Sequence, residues 1–203
     1  MRSQPNISIC KYSEDPDKYW PIIGKFMLKA QDEGSKSIII DKYDPDDPDI
    51  ETWMCFLDNE TLISISAVEK SHYTNDPNIA ARCCRYHILK DYRFTHCGLR
   101  MADHQIEWSR KKGFEILYIT HDINNKAINE LYQRNRRMTV PSFREFTKTY
   151  WYQNLQLETD FLFTIGDMLQ YVYTIKLQNP KYVWQPYSDY ITRDFDASIT
   201  KRS

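Results

Sequence analysis

No apolar run in this 203-residue chain approaches the ~18 residues a membrane-crossing helix needs. The sequence therefore predicts no transmembrane segment. Excess charge is also lacking: the formal net charge is −1, so no global field recruits nucleic acid. Paired cysteines are missing too. Cys10, Cys55, Cys83, Cys84 and Cys97 are odd in number and contain no CxxC, which disfavours both a metal site and a disulfide framework and leaves reduced, mostly buried thiols as the expectation. The opening stretch, MRSQPNISICKYSEDPD, has no signal-peptide core, so a cytoplasmic compartment is expected, of a cell or of a virus-infected host. Repeats, low-complexity blocks and internal linkers are absent as well. What is present, 41% hydrophobic and 14% aromatic residues, suffices for one core of ordinary domain size. The expectation is a single domain over residues 1–203, with an aromatic and polar extension from about residue 179.

The organising stretch runs from Tyr92 to Tyr132. Leu99, Met101, Ala102, Ile106 and Trp108 give a broad, imperfect helical face up to Lys112, with Arg110, Lys111 and Lys112 at the negative end of the helix dipole and Gly113 as the stop. Phe114 to Thr120 (FEILYIT) is rich in β-formers and too short for an independent helix. A second helix starts at Asn124 or Asn125 and carries Ala127, Ile128, Leu131 and Tyr132 on one side. The turn before the first helix can bind phosphate, because a helix start presents unbonded N–H groups and positive partial charge. Gly98 permits close backbone approach and Arg93 adds a cation. The same residues also suit an ordinary helix cap.

Taken whole, the stretch resembles the central motif of the GNAT-type N-acyltransferase superfamily. In that motif Arg or Gln, two residues, Gly, one residue and then Gly or Ala open a helix that cradles the pyrophosphate of acyl-coenzyme A. Arg93 fills the first position and Gly98 the last, while His96 stands where the middle glycine is expected. HILKDYR resembles the strand end and bulge before the loop, Gly113-Phe114 opens the next strand, and NNKAINELY resembles the family's Asn-to-Leu-Tyr helix. QRNRRM follows in place of the usual Gly-Phe.

The resemblance implies an α/β (α+β) fold with a mixed, mostly antiparallel sheet of about six to seven strands, splayed between strands 4 and 5 and flanked by helices. It implies acetyl-CoA as co-substrate. Cofactor-binding positions would be Tyr86, His87 and Ile88 on the strand edge, Arg93, His96, Cys97, Gly98 and Leu99 in the phosphate loop, and Asn125. Tyr132 takes the place of the acid tyrosine.

Along the rest of the chain, Ile7 to Tyr12 reads as a strand. Asp15-Pro16-Asp17 starts a helix with Tyr19, Trp20, Ile22, Ile23, Phe26 and Met27 on its apolar face, ending near Gly34. Ser35 to Asp49 is a connection in which Ile38 to Ile40 form a short strand or a buried plug. Asp44, Asp46, Asp47 and Asp49 make its acidic part, either solvated or suited to draw in a cationic amine. Glu51 to Leu57 and Thr61 to Tyr73 form a hairpin turning at Asp58-Asn59, the second strand alternating Leu62, Ser64 and Ser66 against Ile63, Ile65 and Ala67. Ile79 to Leu89 is the strand that delivers the loop. Phe146 to Tyr152 and Leu169 to Leu177 read as two further strands around Gly166, and the tail with Tyr182, Trp184, Tyr187 and Tyr190 lies across the core.

Acyl transfer to an amine needs a base and an acid for the departing thiolate. Tyr132 is the candidate acid and packs at a helix end otherwise. His121, at the end of FEILYIT, and His87, on the loop-delivering strand, are candidate bases, with Glu69 a third that reads more simply as a solvated strand residue. The Arg134, Arg136 and Arg137 cluster suits adenosine phosphates, nucleic acid or plain solvent. Three functions compete: an acyl-coenzyme A-dependent N-acyltransferase, a catalytically inactive GNAT-fold binding or structural protein (viral or otherwise), and a nucleobase-modifying relative acting on DNA. The acceptor amine is not specified, no membrane or nucleic-acid partner is expected, and a homodimer remains open.

Overall fold

A computed structural model describes residues 6–35, 46–71, 74–93, 97–132, 148–165, 168–185 and 197–201. The chain divides into two compact units: residues 1–69 with 83–105, and residues 70–82 with 106–203.

The first unit opens with β1 (Ile7–Lys11) and α1 (Pro16–Asp32), followed by β2 (Ile50–Leu57), β3 (Thr61–Lys70) and β4 (Ala80–Ile88). Asp15 caps α1, its carboxylate accepting from Lys18 N at 3.3 Å, and Pro16 at the first position lacks only an N–H that would have had no helical partner. Tyr19, Ile23, Phe26, Met27 and Ala30 recur on one helical face and pack on Met54, Phe56, Leu62 and Ile65 of β2 and β3. Trp20 departs from the expected face and is 40% exposed.

The β2–β3 hairpin turns at Asp58 and Asn59, both in the left-handed region (φ 53° and 61°), as a tight primed turn demands. Strict alternation on β3 fails. The register slips between Cys55 and Phe56, which pair with Ser64 and Leu62, so Leu62 and Ile65 join the same core cluster. Both faces of β3 are buried.

β4 contributes residues 80–82 to the second unit and 83–88 to the first. α2 (Cys97–Lys111) is divided similarly. Its buried face is Met101, Ala102, Gln105, Ile106 and Ser109, while Trp108 is only half-buried, beside Phe114 and beneath Lys112. The two polar members of that face have no apolar signature in the sequence.

The second unit contains β5 (Ile116–Asp122), α3 (Lys126–Tyr132), α4 (Tyr150–Asn154), β6 (Leu155–Ile165), β7 (Met168–Lys176) and β8 (Ala197–Lys201). β5, β7, β6 and β8 pair in that order, all antiparallel. The start of β4 runs parallel to β5, with Ile79 O accepting from the N–H groups of Glu115 and Ile116. The result is a mixed, mostly antiparallel sheet with flanking helices.

Three expectations are corrected here. The described part of Phe146 to Tyr152 holds no strand: Thr149 caps α4, its hydroxyl accepting from Tyr152 N at 3.3 Å. The strand instead begins at Leu155 and continues through residues that read as loop. The tail also supplies β8, which pairs with β6 from Phe161 to Ile165. Trp184 is buried against Tyr118 and Phe161, so that part of the tail does lie on the core.

Ile38 to Ile40, Asp44, Arg134, Arg136, Arg137, Gly166, Tyr187 and Tyr190 lie outside the described residues. No described helix is long and apolar enough to cross a membrane.

Candidate functional site

The phosphate-loop candidate lies in the first unit. A three-residue 3-10 turn, Lys90–Tyr92, follows β4 and ends at exposed Arg93; α2 then begins at Cys97. His96 lies outside the described residues. Cys97, Gly98 and Leu99 are therefore the first three residues of α2, and their N–H groups have no helical carbonyl to bond.

Gly98 has a reason to be glycine that is visible in the fold. A Cβ there would run into the hydroxyl of Tyr86, while Tyr86 Cζ and Ile88 Cδ1 would stand at ordinary contact, 3.4 and 3.6 Å. The Tyr86 side chain, 43% exposed on β4, thus reaches over the start of α2.

The strand edge can be read from its bonds to β3. The Ser64 hydroxyl donates to His87 O at 2.8 Å, and Leu89 N donates to Ile63 O at 3.0 Å. Backbone polar groups alternate sides along a strand, so those of Tyr86 and Ile88 point away from β3. Arg85 just before them has φ 52°, a kink within the strand rather than at its end. Helix-start donors and a nearby cation are what a pyrophosphate requires. Coenzyme A fits this set.

His87 is buried, its ring nitrogen Nε2 lies 3.1 Å from Glu33 Oε2, and the edge of Phe26 packs on it. Burial depresses its pKa, against the pull of Glu33. Glu69 is not the solvated residue expected. It is 7% exposed and pairs with Arg85 Nη1 at 3.2 Å.

α2 is fastened to the sheet by Gln105, whose Nε2 donates to Ser66 Oγ and whose Oε1 accepts from Cys83 Sγ. The Cys55 thiol, hydrogen-bonded to Cys97 and buried, has its pKa pushed well up. All five cysteines are free thiols. Among the described residues, no group of three or more His, Cys, Asp or Glu is placed to hold a metal.

The second unit brings two predicted residues together. Asn125 is the cap of α3: its Oδ1 accepts from Ile128 N at 3.2 Å, whereas Asn124 N bonds Asp122 Oδ1. α3 places the Tyr132 ring 5.3 Å from the ring of His121 on β5. The β5–β7 register sets Tyr171 opposite His121 and Tyr173 opposite Ile119, on one face of the sheet. Tyr173 stacks on His121 (5.1 Å, 20°) and meets Tyr132 edge-on at 5.1 Å, and Tyr171 meets His121 edge-on at 5.9 Å. His121 Nδ1 lies 3.2 Å from Asp122 O; its Nε2 is buried with no hydrogen-bond partner among the described residues. Burial lowers the His121 pKa, outweighing the hydrogen bond to the Asp122 carbonyl and the Asp122 charge, and so favours the neutral ring. A neutral imidazole with an unbonded buried nitrogen beside a phenol can accept a proton and pass it on. Tyr171 and Tyr173 were missed from sequence. Their alternation in YVYT is visible, but pairing with His121 is a register fact.

No protein-family model matches the chain, and no curated protein matches its sequence. Solved structures do match. A GNAT-family acetyltransferase from Streptococcus pneumoniae aligns with a TM-score of 0.59 at 14% identity, covering 85% of this chain and 100% of its own. One from Staphylococcus aureus gives 0.56 at 13%, covering 85% and 100%. An acetyltransferase from Streptococcus agalactiae gives 0.55 at 13%, covering 84% and 98%. The chain has the fold of the GNAT-type acyltransferases.

Proposed function

We propose that the chain is an acyl-coenzyme A-dependent N-acyltransferase that moves an acetyl group from acetyl-CoA directly to an amine. The observation that carries the reading is the approach of His121 to Tyr132, with the imidazole Nε2 buried and unbonded among the described residues. The fold and the donor set at the start of α2 support it. Arg93 and the N–H groups of Cys97, Gly98 and Leu99 would hold the pyrophosphate, and the outward groups of Tyr86 and Ile88 the pantetheine.

Acetyl-CoA supplies the activated thioester. His121 Nε2 takes the proton of the attacking amine, directly or through a water. Tyr132 donates its phenolic proton to the sulfur as the C–S bond breaks. Transfer of a proton from the His121 imidazolium to the Tyr132 phenolate then restores both groups, so the amine's proton ends, in effect, on the thiol. His87 is the weaker candidate for the base, because Glu33 already engages its Nε2.

Tyr132→Phe keeps the ring packing and removes the donor. A positioned general acid contributes about 10² to 10⁴ in rate. Turnover on a verified amine acceptor should fall at least tenfold while calorimetry shows coenzyme A affinity unchanged; transfer at the parent rate would make Tyr132 a packing residue. One observation favours an inactive GNAT-fold binding protein instead: the Tyr86 hydroxyl fills the notch over Gly98. Absence of acetyl-CoA binding at millimolar ligand would decide for that alternative.

A further inference from the structure

Glu33 sits where helix energetics do not want it. It is the C-cap of α1, at the negative end of the helix dipole, where a carboxylate is disfavoured. The cap itself does not need its side chain. Gly34 (φ 83°) and Ser35 close the helix through Gly34 N to Gln31 O and Ser35 N to Ala30 O.

The carboxylate is spent elsewhere. Both of its oxygens lie 3.0 Å from Lys90 N, and Oε2 also lies 3.1 Å from His87 Nε2. Lys90 is the first residue of the 3-10 turn that leads to Arg93, and the residue before it, Leu89, makes no side-chain cap bond. A leucine has no acceptor to offer. Glu33 therefore supplies, from 57 residues away, the cap that the turn lacks locally. Burial tends to raise the Glu33 pKa, but the bonds from Lys90 and His87 prevail and hold it below the ordinary carboxylate value. On the opposite side of the same segment, Ser64 holds His87 O and Ile63 holds Leu89 N.

We infer that Glu33 is a positioning residue for acyl-coenzyme A. By pinning residues 87–90 from the α1 side, it fixes where the Tyr86 and Ile88 edge ends and where the turn carrying Arg93 begins. Its role is to hold the backbone that meets the ligand, not to meet the ligand itself. The inference rests on the coenzyme A reading above.

The test uses the full chain with coenzyme A as the probe. Glu33→Ala should weaken coenzyme A binding at least fivefold by calorimetry. Amide exchange at Lys90, followed by NMR, should accelerate at least tenfold. Glu33→Gln keeps an acceptor for Lys90 N and should recover most of the affinity and the protection. A purely structural role would lower stability in both variants without this graded rescue. If the parent binds coenzyme A and Glu33→Ala binds it equally, the inference is overturned. If Lys90 exchange does not change, it is overturned as well. If the parent chain binds no coenzyme A, the functional reading fails first and the inference falls with it. Should Glu33→Ala not fold, Glu33→Gln in the pair Glu33→Gln and Glu33→Met serves the same comparison, since methionine keeps the stem and offers no comparable acceptor.

Discussion

Replacing Gly98 by alanine separates two reasons for the glycine that opens α2. The added Cβ would collide with one atom, the Tyr86 hydroxyl oxygen; the next nearest atoms, Tyr86 Cζ at 3.4 Å and Ile88 Cδ1 at 3.6 Å, are at ordinary contact. Two effects then oppose each other. Alanine is favoured over glycine in a helix by at most about 1 kcal/mol, and by less in the first turn where Gly98 lies, and overpacking costs about 1–3 kcal/mol. Tyr86 is 43% exposed, so the phenol can swing outward and the cost belongs at the low end. Gly98→Ala alone should therefore change stability by no more than about 1 kcal/mol. In a Tyr86→Phe background the colliding oxygen is gone, and the same substitution should be neutral or stabilise by up to about 1 kcal/mol. Urea melts of the four proteins form a double-mutant cycle with an expected coupling of about 1 kcal/mol or more; additivity within about 0.3 kcal/mol would refute the packing argument. Coenzyme A titrations on the same four proteins address function. If backbone approach to the pyrophosphate requires glycine, the double variant still binds weakly. If the glycine serves only Tyr86, the double variant binds like the parent.

Two further outcomes follow from the buried polar groups. Burial holds the His121 pKa below 6.5, so its contribution to stability is complete above pH 6.5 and is lost as pH falls through the depressed folded-state value. Thermal melts from pH 7.5 to 5 should show a shallower loss for His121→Phe than for the parent, with a remainder from His87, whose pKa is depressed in the same direction by burial; identical slopes would contradict the assignment. Gln105→Leu strands the buried Ser66 hydroxyl and should cost about 1–3 kcal/mol, while adding Ser66→Ala should recover much of it, as measured by denaturant unfolding.

The elements legible in the sequence are those fixed by neighbours close along the chain. Asp15 lies three residues from the N–H it caps, and Asp58-Asn59 adopts the left-handed pair that a tight primed turn needs. β6 was illegible for the opposite reason. Its register jumps from Leu157 opposite Tyr173 to Leu162 opposite Tyr171, so Glu158 to Phe161 bulge out opposite Val172. That polar interruption erases the alternation by which a strand is recognised. Glu158 also accepts from the Thr174 hydroxyl at 2.6 Å, a partner no local pattern announces. Tyr150 to Tyr152 misled in the other direction, because aromatic residues favour strands until a threonine cap starts a short helix.

The choice between two histidines shows which part of the candidate site cannot be read from local sequence. His87 and His121 both lie near strand ends with β-formers around them, and either could titrate near neutrality. Their partners separate them, and those partners are remote: Glu33 is 54 residues before His87, and Tyr171 is set opposite His121 only by the β5–β7 register. A histidine whose Nε2 already faces a carboxylate is committed to holding chain together. One stacked among tyrosines with Nε2 buried and unbonded among the described residues keeps its acceptor for something else. Burying such a nitrogen without a hydrogen bond costs about 1–3 kcal/mol. On the proposed reading, that cost leaves a proton acceptor beside Tyr132.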